Sequence, residues 1–238
     1  MIVLFTDFGN DDPYVGQVHA VLARQAPATP IIDLLHSAPN YDIRSSAYLL
    51  AAYVPGLPVN SVVMAVVDPG VGGDRLPIVL QTNRRWYVGP DNGLFSVVAE
   101  REGVRSIGKL NVDDAVLPSF HGRDVFAPAA SVLARGGSLN FTELTDLNRG
   151  GMEWPDDLFE VIYIDHYGNA ITGINASSMP EDREYHVNGH IIKYARVFAD
   201  ARDGCAFWYY NSSNLIEIAI NQGSAAEKLG LKIGSKIV

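Results

Sequence analysis

Apolar positions in the first half of the chain fall into short unbroken runs separated by stretches of helical spacing. Ile2–Thr6, "IVLFT", predicts a buried strand, and the polar "DFGNDD" after it predicts a loop. Pro13 then opens a helix whose apolar positions Val15, Val18, Leu22 and Ala26 recur near a period of 3.6. Ile31–Leu35, "IIDLL", predicts a second strand. Asp42 is placed to cap a helix carried by Ile43, Ala47, Leu50, Ala51 and Val54, with Pro55 and Gly56 ending it. Ser61–Asp68, "SVVMAVVD", predicts a third strand, too apolar to face water on either side. This alternation predicts parallel strands joined by right-handed crossovers, with helices covering the sheet.

Beyond Arg75, "PIVLQT" and "RWYVG" predict a hairpin, and the turn-rich "PDNG" (Pro90–Gly93) is expected to open a helix. Helical spacing returns in "HGRDVFAPAASVLARGG", where Val125, Ala129 and Val132 share a face and Gly136 and Gly137 end it. Residues 138 to 158, rich in Gly, Asn and Asp, are expected to form a linker. After it the period changes to short β-runs: "FEVIYID", "AITGI", "EYHV", "IKYARVF", "CAFWYYN" and "LIEIAIN". "VNGH" marks a tight hairpin, and a short helix "GSAAEKLG" and a last strand close the chain. The fold class expected is α/β. An N-terminal α/β domain (residues 1–150) with a mostly parallel central sheet precedes a smaller C-terminal antiparallel β-barrel domain (residues 158–238).

Composition narrows the function classes. Of 238 residues, 47% are hydrophobic and 19% charged, a globular balance able to bury a core. The net charge of −9, without a Lys/Arg cluster, argues against a nucleic-acid partner and suits a small or cationic ligand. No apolar run approaches the length of a membrane span, and Met1 leads straight into "IVLFTDFG" without a leader pattern, so a cytoplasmic setting is expected. Cys205 is the only cysteine, which removes disulfides and cysteine-based zinc sites.

Two clusters carry candidate chemistry in the first domain. Asp7 and Asp68 each follow an apolar strand directly, and ligands of parallel sheets gather beyond the carboxyl ends of strands. In "TDFGNDDPYVG" the aspartates Asp7, Asp11 and Asp12 could bind a hard cation, hold a ribose diol or cap the helix at Pro13. This text is similar to the aspartate cluster of metal-dependent nucleoside hydrolases. In "AVVDPGVGGDR" the glycine spacing fits neither a dinucleotide loop nor a Walker loop, which disfavours phosphate. The loop is either a glycine-rich crossover with a surface Asp74–Arg75 pair, or a device returning the Arg75 guanidinium over Asp68. His121 lies in the turn before "GRDVFAP". No HExxH or GxSxG segment exists. In the second domain "IDHYGN" sets Asp165 and Asn169 around a turn, and "NSSNLIEIAINQGSAA" offers Asn211, Ser212, Glu217 and Asn221. Glu217 is framed by Ile216 and Ile218, so its carboxylate points opposite them, into solvent or toward an ammonium group. Trp86, Trp154 and Trp208 fit core or interface better than an adenine platform.

Taken in order, "TDFGNDDPYVG", "VDPGVGGDR", "VGPDNGLF", "HGRDVFAPAA", "IDHYGN" and "NSSNLIEIAINQGSAA" resemble the S-adenosyl-L-methionine (SAM) hydroxide adenosyltransferases, relatives of the SAM-dependent fluorinases and chlorinases. The resemblance runs from about Thr6 to Ala226. It implies hydrolysis of SAM to adenosine and methionine without metal or cofactor, in a homotrimer with sites at subunit interfaces. It implies an Asp–Arg–His set holding water, matched by Asp68, Arg75 and His121. It further implies a ribose contact at Asp7, an adenine contact at Asn169, and methionine contacts at Asp165 and Ser212. Asn221 is carried with the adenosine side and Glu217 with the methionine side. Gly122, where a halide pocket would use a small donor such as serine, favours water over halide as nucleophile. A SAM-dependent halogenase-like enzyme, a metal-dependent nucleoside hydrolase and a non-catalytic SAM- or adenosine-binding sensor are the alternatives.

Overall fold

β1 (Ile2–Thr6) is buried at every position, as a strand without polar alternation must be when both faces are covered. In the computed structural model, which describes residues 1–113 and 116–238, the chain divides into two compact units. One comprises Met1–Ala51 and Leu57–Met152, the other Ala52–Gly56 and Glu153–Val238.

In the first unit, α1 (Pro13–Gln25) follows β1, with Pro13 in its first turn. β2 (Ile31–Leu35) and α2 (Ile43–Tyr53) come next, then the fully buried β3 (Val62–Val66). Asp42 caps α2 as expected, its carboxylate accepting from the Ser45 amide at 2.9 Å and the Ser45 hydroxyl at 2.7 Å. Asp12 stands at the cap position of α1, yet its side chain makes no cap bond.

The hairpin β4 (Pro77–Thr82) and β5 (Trp86–Pro90) precedes α3 (Ser96–Glu102), β6 (Val104–Leu110), α4 (Ala127–Ala134) and β7 (Phe141–Glu143). These form one seven-stranded sheet, ordered β2-β1-β3-β5-β4-β6-β7. The sheet is mixed, not mostly parallel. β2, β1, β3 and β5 pair in parallel, whereas β5–β4, β4–β6 and β6–β7 are antiparallel. The reason is local: no helix separates β3 from β4, and a parallel return needs a crossover of a dozen or more residues. The expected linker also contains β7, paired to β6, and α3 begins at Ser96, just past the "PDNG" turn. Val18 and Leu22 of α1 pack with Phe126, Ala127 and Ala130 against Ile2, Leu4, Val62 and Met64.

The second unit contains β8 (Leu158–Ile164), β9 (Ala170–Asn175), β10 (Tyr185–Val187), β11 (His190–Tyr194), β12 (Ala206–Tyr210) and β13 (Leu215–Ile220). They form a six-stranded sheet ordered β10-β11-β12-β13-β9-β8, antiparallel except between β11 and β12. Asn188 and Gly189, both at positive φ, make the β10–β11 turn. α5 (Ala225–Leu229) is capped by the Ser224 hydroxyl. The expected last strand is a single bridge between Glu160 and Lys236. The terminal residues still bond both edges of the sheet: Ile237 N–H donates to Phe159 on β8, and Val238 exchanges bonds with His186 on β10. The unit's core gathers Tyr185, Trp208, Ile216 and Ile218.

Gly89 of β5 lies where any Cβ would stand 2.1 Å from the Ala65 carbonyl oxygen of β3. Gly16, inside α1, has nothing within 4 Å of that position. Gly89→Ala is therefore expected to destabilise the protein by at least about 2 kcal/mol, while Gly16→Ala stabilises it by roughly 0.5–1 kcal/mol. Urea unfolding midpoints read both, and a Gly89→Ala midpoint equal to the parent's would contradict the close strand approach.

Candidate active site

β1 sends the chain to β2 on one side, whereas β3 lies on its other side. The connections leaving β1 and β3 therefore diverge, and a crevice opens between their carboxyl ends, where open α/β sheets bind ligands. Asp7 and Asp68 stand there, and the Asp7 amide donates to the Val66 carbonyl at 3.3 Å. The crevice is a cavity of about 460 Å³ lined by Asp7, Asp68, His121 and Gly122, with Phe8, Tyr14, Tyr41 and Phe120 among its walls. Phe8, Tyr14 and Phe120 pack on one another with ring centroids 5.4–6.1 Å apart.

The glycine loop after β3 brings Arg75 back to Asp68. Arg75 Nε donates to both carboxylate oxygens at 3.1 and 2.9 Å, and Nη2 donates to Oδ2 at 2.5 Å. Gly72, at φ +78°, and the Gly73 amide bonded to the Gly70 carbonyl supply the turn. Both side chains are almost fully buried, 8% and 5% exposed. The Asp74–Arg75 surface pair is therefore not formed; Arg75 spends its guanidinium on Asp68 and stacks at 5.6 Å over Phe126. From the other side, Asn92 of the "PDNG" turn donates to the Val67 carbonyl at 2.9 Å and accepts from the Leu94 amide, anchoring the strand end that carries Asp68.

His121 precedes a π-type turn, Gly122–Phe126, that runs into α4. Its ring packs edge-on to Phe126. Burial, and then the Arg75 charge, push its pKa below the ordinary 6.5, against the opposing pull of Asp68 and Asp124. The imidazole is thus neutral near pH 7. Its Nδ1 and the Arg75 Nη1 are buried and have no hydrogen-bond partner among the described residues. Burial raises the Asp7 pKa, the Tyr41 amide bond and Asp7's own amide lower it, and Asp68 nearby adds to the rise. Tyr41, at φ +61° and 75% exposed, gives that amide bond at 3.3 Å. Among the described residues, Asp7, Asp11 and Asp12 do not bring three ligand oxygens into ion-binding reach.

In the second unit a cavity of about 660 Å³ is lined by Asp165, Asn169, Tyr209 and Ser224. The Asp165 carboxylate accepts from the Tyr167 and Asn169 amides at 2.9 Å each and from the Asn169 side chain at 3.0 Å. Gly168, at φ +80°, admits Ser224 where a Cβ would stand 2.1 Å from its hydroxyl. Glu217 is 4% exposed and accepts from the Tyr209 hydroxyl at 2.5 Å and the Asn211 amide at 2.9 Å. Burial raises its pKa, which these bonds partly offset. Ser212 is exposed and Asn221 donates to Ala201 and Asp203; neither lines the cavity.

Two groups of lining residues were not singled out from the sequence. The aromatic wall of Phe8, Tyr14 and Phe120 is assembled from segments far apart in the chain. Tyr209 alternates with Trp208 on β12, so the tyrosine reaches Glu217 while the tryptophan is wholly buried. That alternation was the signal available for Tyr209.

Comparison with known proteins agrees with this layout. The family models for the SAM hydroxide adenosyltransferase N-terminal and C-terminal domains match residues 2–143 and 159–238. The chain is 39% identical to an (R)-S-adenosyl-L-methionine hydrolase from Thermus thermophilus, over 99% of this chain and 98% of that protein. An uncharacterised conserved protein from Thermotoga maritima superimposes with a TM-score of 0.90 at 31% identity, covering 100% of this chain and 98% of that one. A fluorinase from Actinopolyspora mzabensis is 22% identical across 100% of this chain and 96% of its own length. The chain belongs to the SAM hydroxide adenosyltransferase family.

Proposed function

We propose that this protein hydrolyses S-adenosyl-L-methionine to adenosine and L-methionine, with water attacking C5′ opposite the departing sulfur. The observation that carries this is the buried Asp68–Arg75 pair, whose carboxylate lines, together with the neutral His121, one cavity at the carboxyl ends of β1 and β3. A C5′–O bond forms and the C5′–S bond breaks, its electron pair leaving on sulfur as a neutral thioether. The sulfonium needs no acid to leave, so the protein's task is to align a water and help it lose a proton. Asp68 and Arg75 fix the oxygen, Arg75 stabilises hydroxide character, and His121 accepts the proton. The reaction requires no metal or cofactor.

Asp7 holds the ribose hydroxyls in this scheme. Asn169 and Asn221 serve the adenosine side, and Asp165, Ser212 and Glu217 the methionine side. The family resemblance supports a homotrimer in which the N-terminal α/β domain of one chain (residues 1–150) and the C-terminal domain of its neighbour (residues 158–238) enclose the substrate. The backbone bonds from the terminal residues to β8 and β10 support reading that C-terminal domain as a closed barrel. A cytoplasmic setting suits an intracellular sulfonium substrate.

Water is favoured over halide by Gly122. A side chain there would begin 2.9 Å from the Phe8 ring and 3.0 Å from the Phe120 ring, so a serine donor would require the aromatic wall to shift.

Incubation of the purified protein with SAM in ¹⁸O-water is expected to yield adenosine labelled at its 5′-oxygen, with unlabelled methionine. Free adenine, a halogenated nucleoside or recovered intact SAM would each overturn the proposal. Asp68→Asn is expected to lower turnover by about 10²–10⁴-fold while SAM binding by calorimetry persists.

The pH profile follows from the sign of the His121 shift. The active form is the neutral imidazole, so kcat/KM falls as pH drops through a value below 6.5. Arg75→Met removes the second-largest cause of that depression, so the acidic limb of the residual activity moves to higher pH. A limb unmoved, or moved downward, would remove His121 from the role of base.

A further inference from the structure

In the first unit, beside the end of β1, His19 of α1, Asp33 of β2 and His36, just after β2, converge on one point. His19 Nε2 lies 2.7 Å and His36 Nε2 3.0 Å from the same carboxylate oxygen, Asp33 Oδ1. Among the described residues they form the one group of His, Cys, Asp or Glu whose ligand atoms all lie within 4.8 Å of one another. None of the three lines the cavity walled by Asp7, Asp68 and His121. We propose that His19, Asp33 and His36 form a binding site for a borderline divalent transition cation, with Zn²⁺ the representative ion.

The donor set decides the class of ion. Two imidazoles and one carboxylate suit zinc, nickel or cobalt, whereas magnesium and calcium demand oxygen ligands. Donor atoms about 2.0–2.1 Å from a tetrahedral zinc stand roughly 3.3 Å apart. The observed 2.7 and 3.0 Å from imidazole to carboxylate require an opening of a few tenths of an ångström, and the two imidazole nitrogens, within 4.8 Å of each other, complete the set. His19, 36% exposed at its side chain, and Asp33, 47% exposed, can supply that movement and leave the fourth position to water.

His36 is the fixed member. It is 6% exposed, and its Nδ1 is hydrogen-bonded at 2.8 Å to the Thr6 hydroxyl, which leaves Nε2 as the nitrogen turned toward Asp33. An outer partner of this kind orients a metal-binding imidazole and selects its tautomer. Burial raises the Asp33 pKa, but hydrogen bonds from His36 and His19 outweigh it and the net direction is downward. The carboxylate is therefore ionised at neutral pH. The bound cation would tie α1 to β2 and, through Thr6, to the end of β1 beside Asp7. Its ligands are distinct from the residues proposed to act on SAM, and its test reads metal, not turnover.

The full-length protein, stripped with EDTA and dialysed, is titrated with Zn²⁺ by isothermal calorimetry and by competition with a chromophoric chelator. One zinc per chain at micromolar or tighter affinity is expected, undisplaced by excess Mg²⁺. His19→Ala, at a half-buried position on α1, should weaken binding by at least about tenfold, as should Asp33→Asn; His190→Ala, on the surface of the second unit, should leave it unchanged. Absence of saturable binding, or equal affinity in His19→Ala and the parent, would overturn the site and leave the triad a hydrogen-bond network.

Discussion

The ion pair between Arg75 and Asp68 is the interaction on which the rest of the site depends. Two opposite charges taken out of water cost several kcal/mol each unless geometry and hydrogen bonds offset them. Here three N–H···O contacts within 3.1 Å do so, and the apolar Phe126 ring covers the guanidinium. The pair holds the glycine loop against the end of β3, so Asp68 keeps a fixed place relative to Asp7 on the neighbouring strand. Next door, burial first and then the Arg75 charge lower the His121 pKa, while Asp68 of the same pair opposes them. Loop closure and carboxylate placement thus share one cause.

Strand order supplies the remaining precision. β1 and β3 pair in parallel over five residues in register, from Ile2 with Val62 to Thr6 with Val66. Two carboxylates are therefore delivered side by side by rigid elements, not by mobile loops. The Asn92 side chain bonds the carbonyl of Val67, one residue before Asp68. The hairpin that makes the sheet mixed thus also brings "PDNG" back to the strand end.

Much of this was legible in the residues, and the misses have identifiable causes. Unbroken apolar runs located β1 and β3, and Asp42 announced the start of α2 through its capping chemistry. The motif set "VDPGVGGDR" and "HGRDVFAPAA" singled out Asp68, Arg75 and His121, and the fold places Asp68 and His121 in one crevice with Arg75 bonded to Asp68. β6 escaped because "VRSIGKL" alternates weakly and carries Gly108, which only the Phe141 ring packed against it explains. The expectation of a mostly parallel sheet was not met, because periodicity reports strands, not their direction. Ser212 lies in the turn between β12 and β13, and Asn221 in the turn after β13, so strand alternation aims neither of them, and neither lines the second unit's cavity. Tyr41 shows no sequence signal for its left-handed backbone, a conformation unusual for an aromatic residue and imposed here by a tight turn beside Asp7.

The proposed reaction is a charge annihilation: a hydroxide-like oxygen meets a sulfonium, and the products on either side of the breaking bond are neutral. Water solvates the separated charges better than the transition state, which slows the uncatalysed step. A cavity that replaces bulk water with fixed groups removes that advantage. The Asp68–Arg75 pair is itself neutral overall, so it orients the oxygen without adding net positive charge against the cationic substrate. Asp7 adds a carboxylate on the substrate's side, and the Phe8, Tyr14 and Phe120 rings present π-faces and edges in place of solvent. The proton released by the water then needs an acceptor that is not already ion-paired. Asp68 is spent on Arg75, so the neutral imidazole of His121, with Nδ1 uncommitted among the described residues, is the group left to take it.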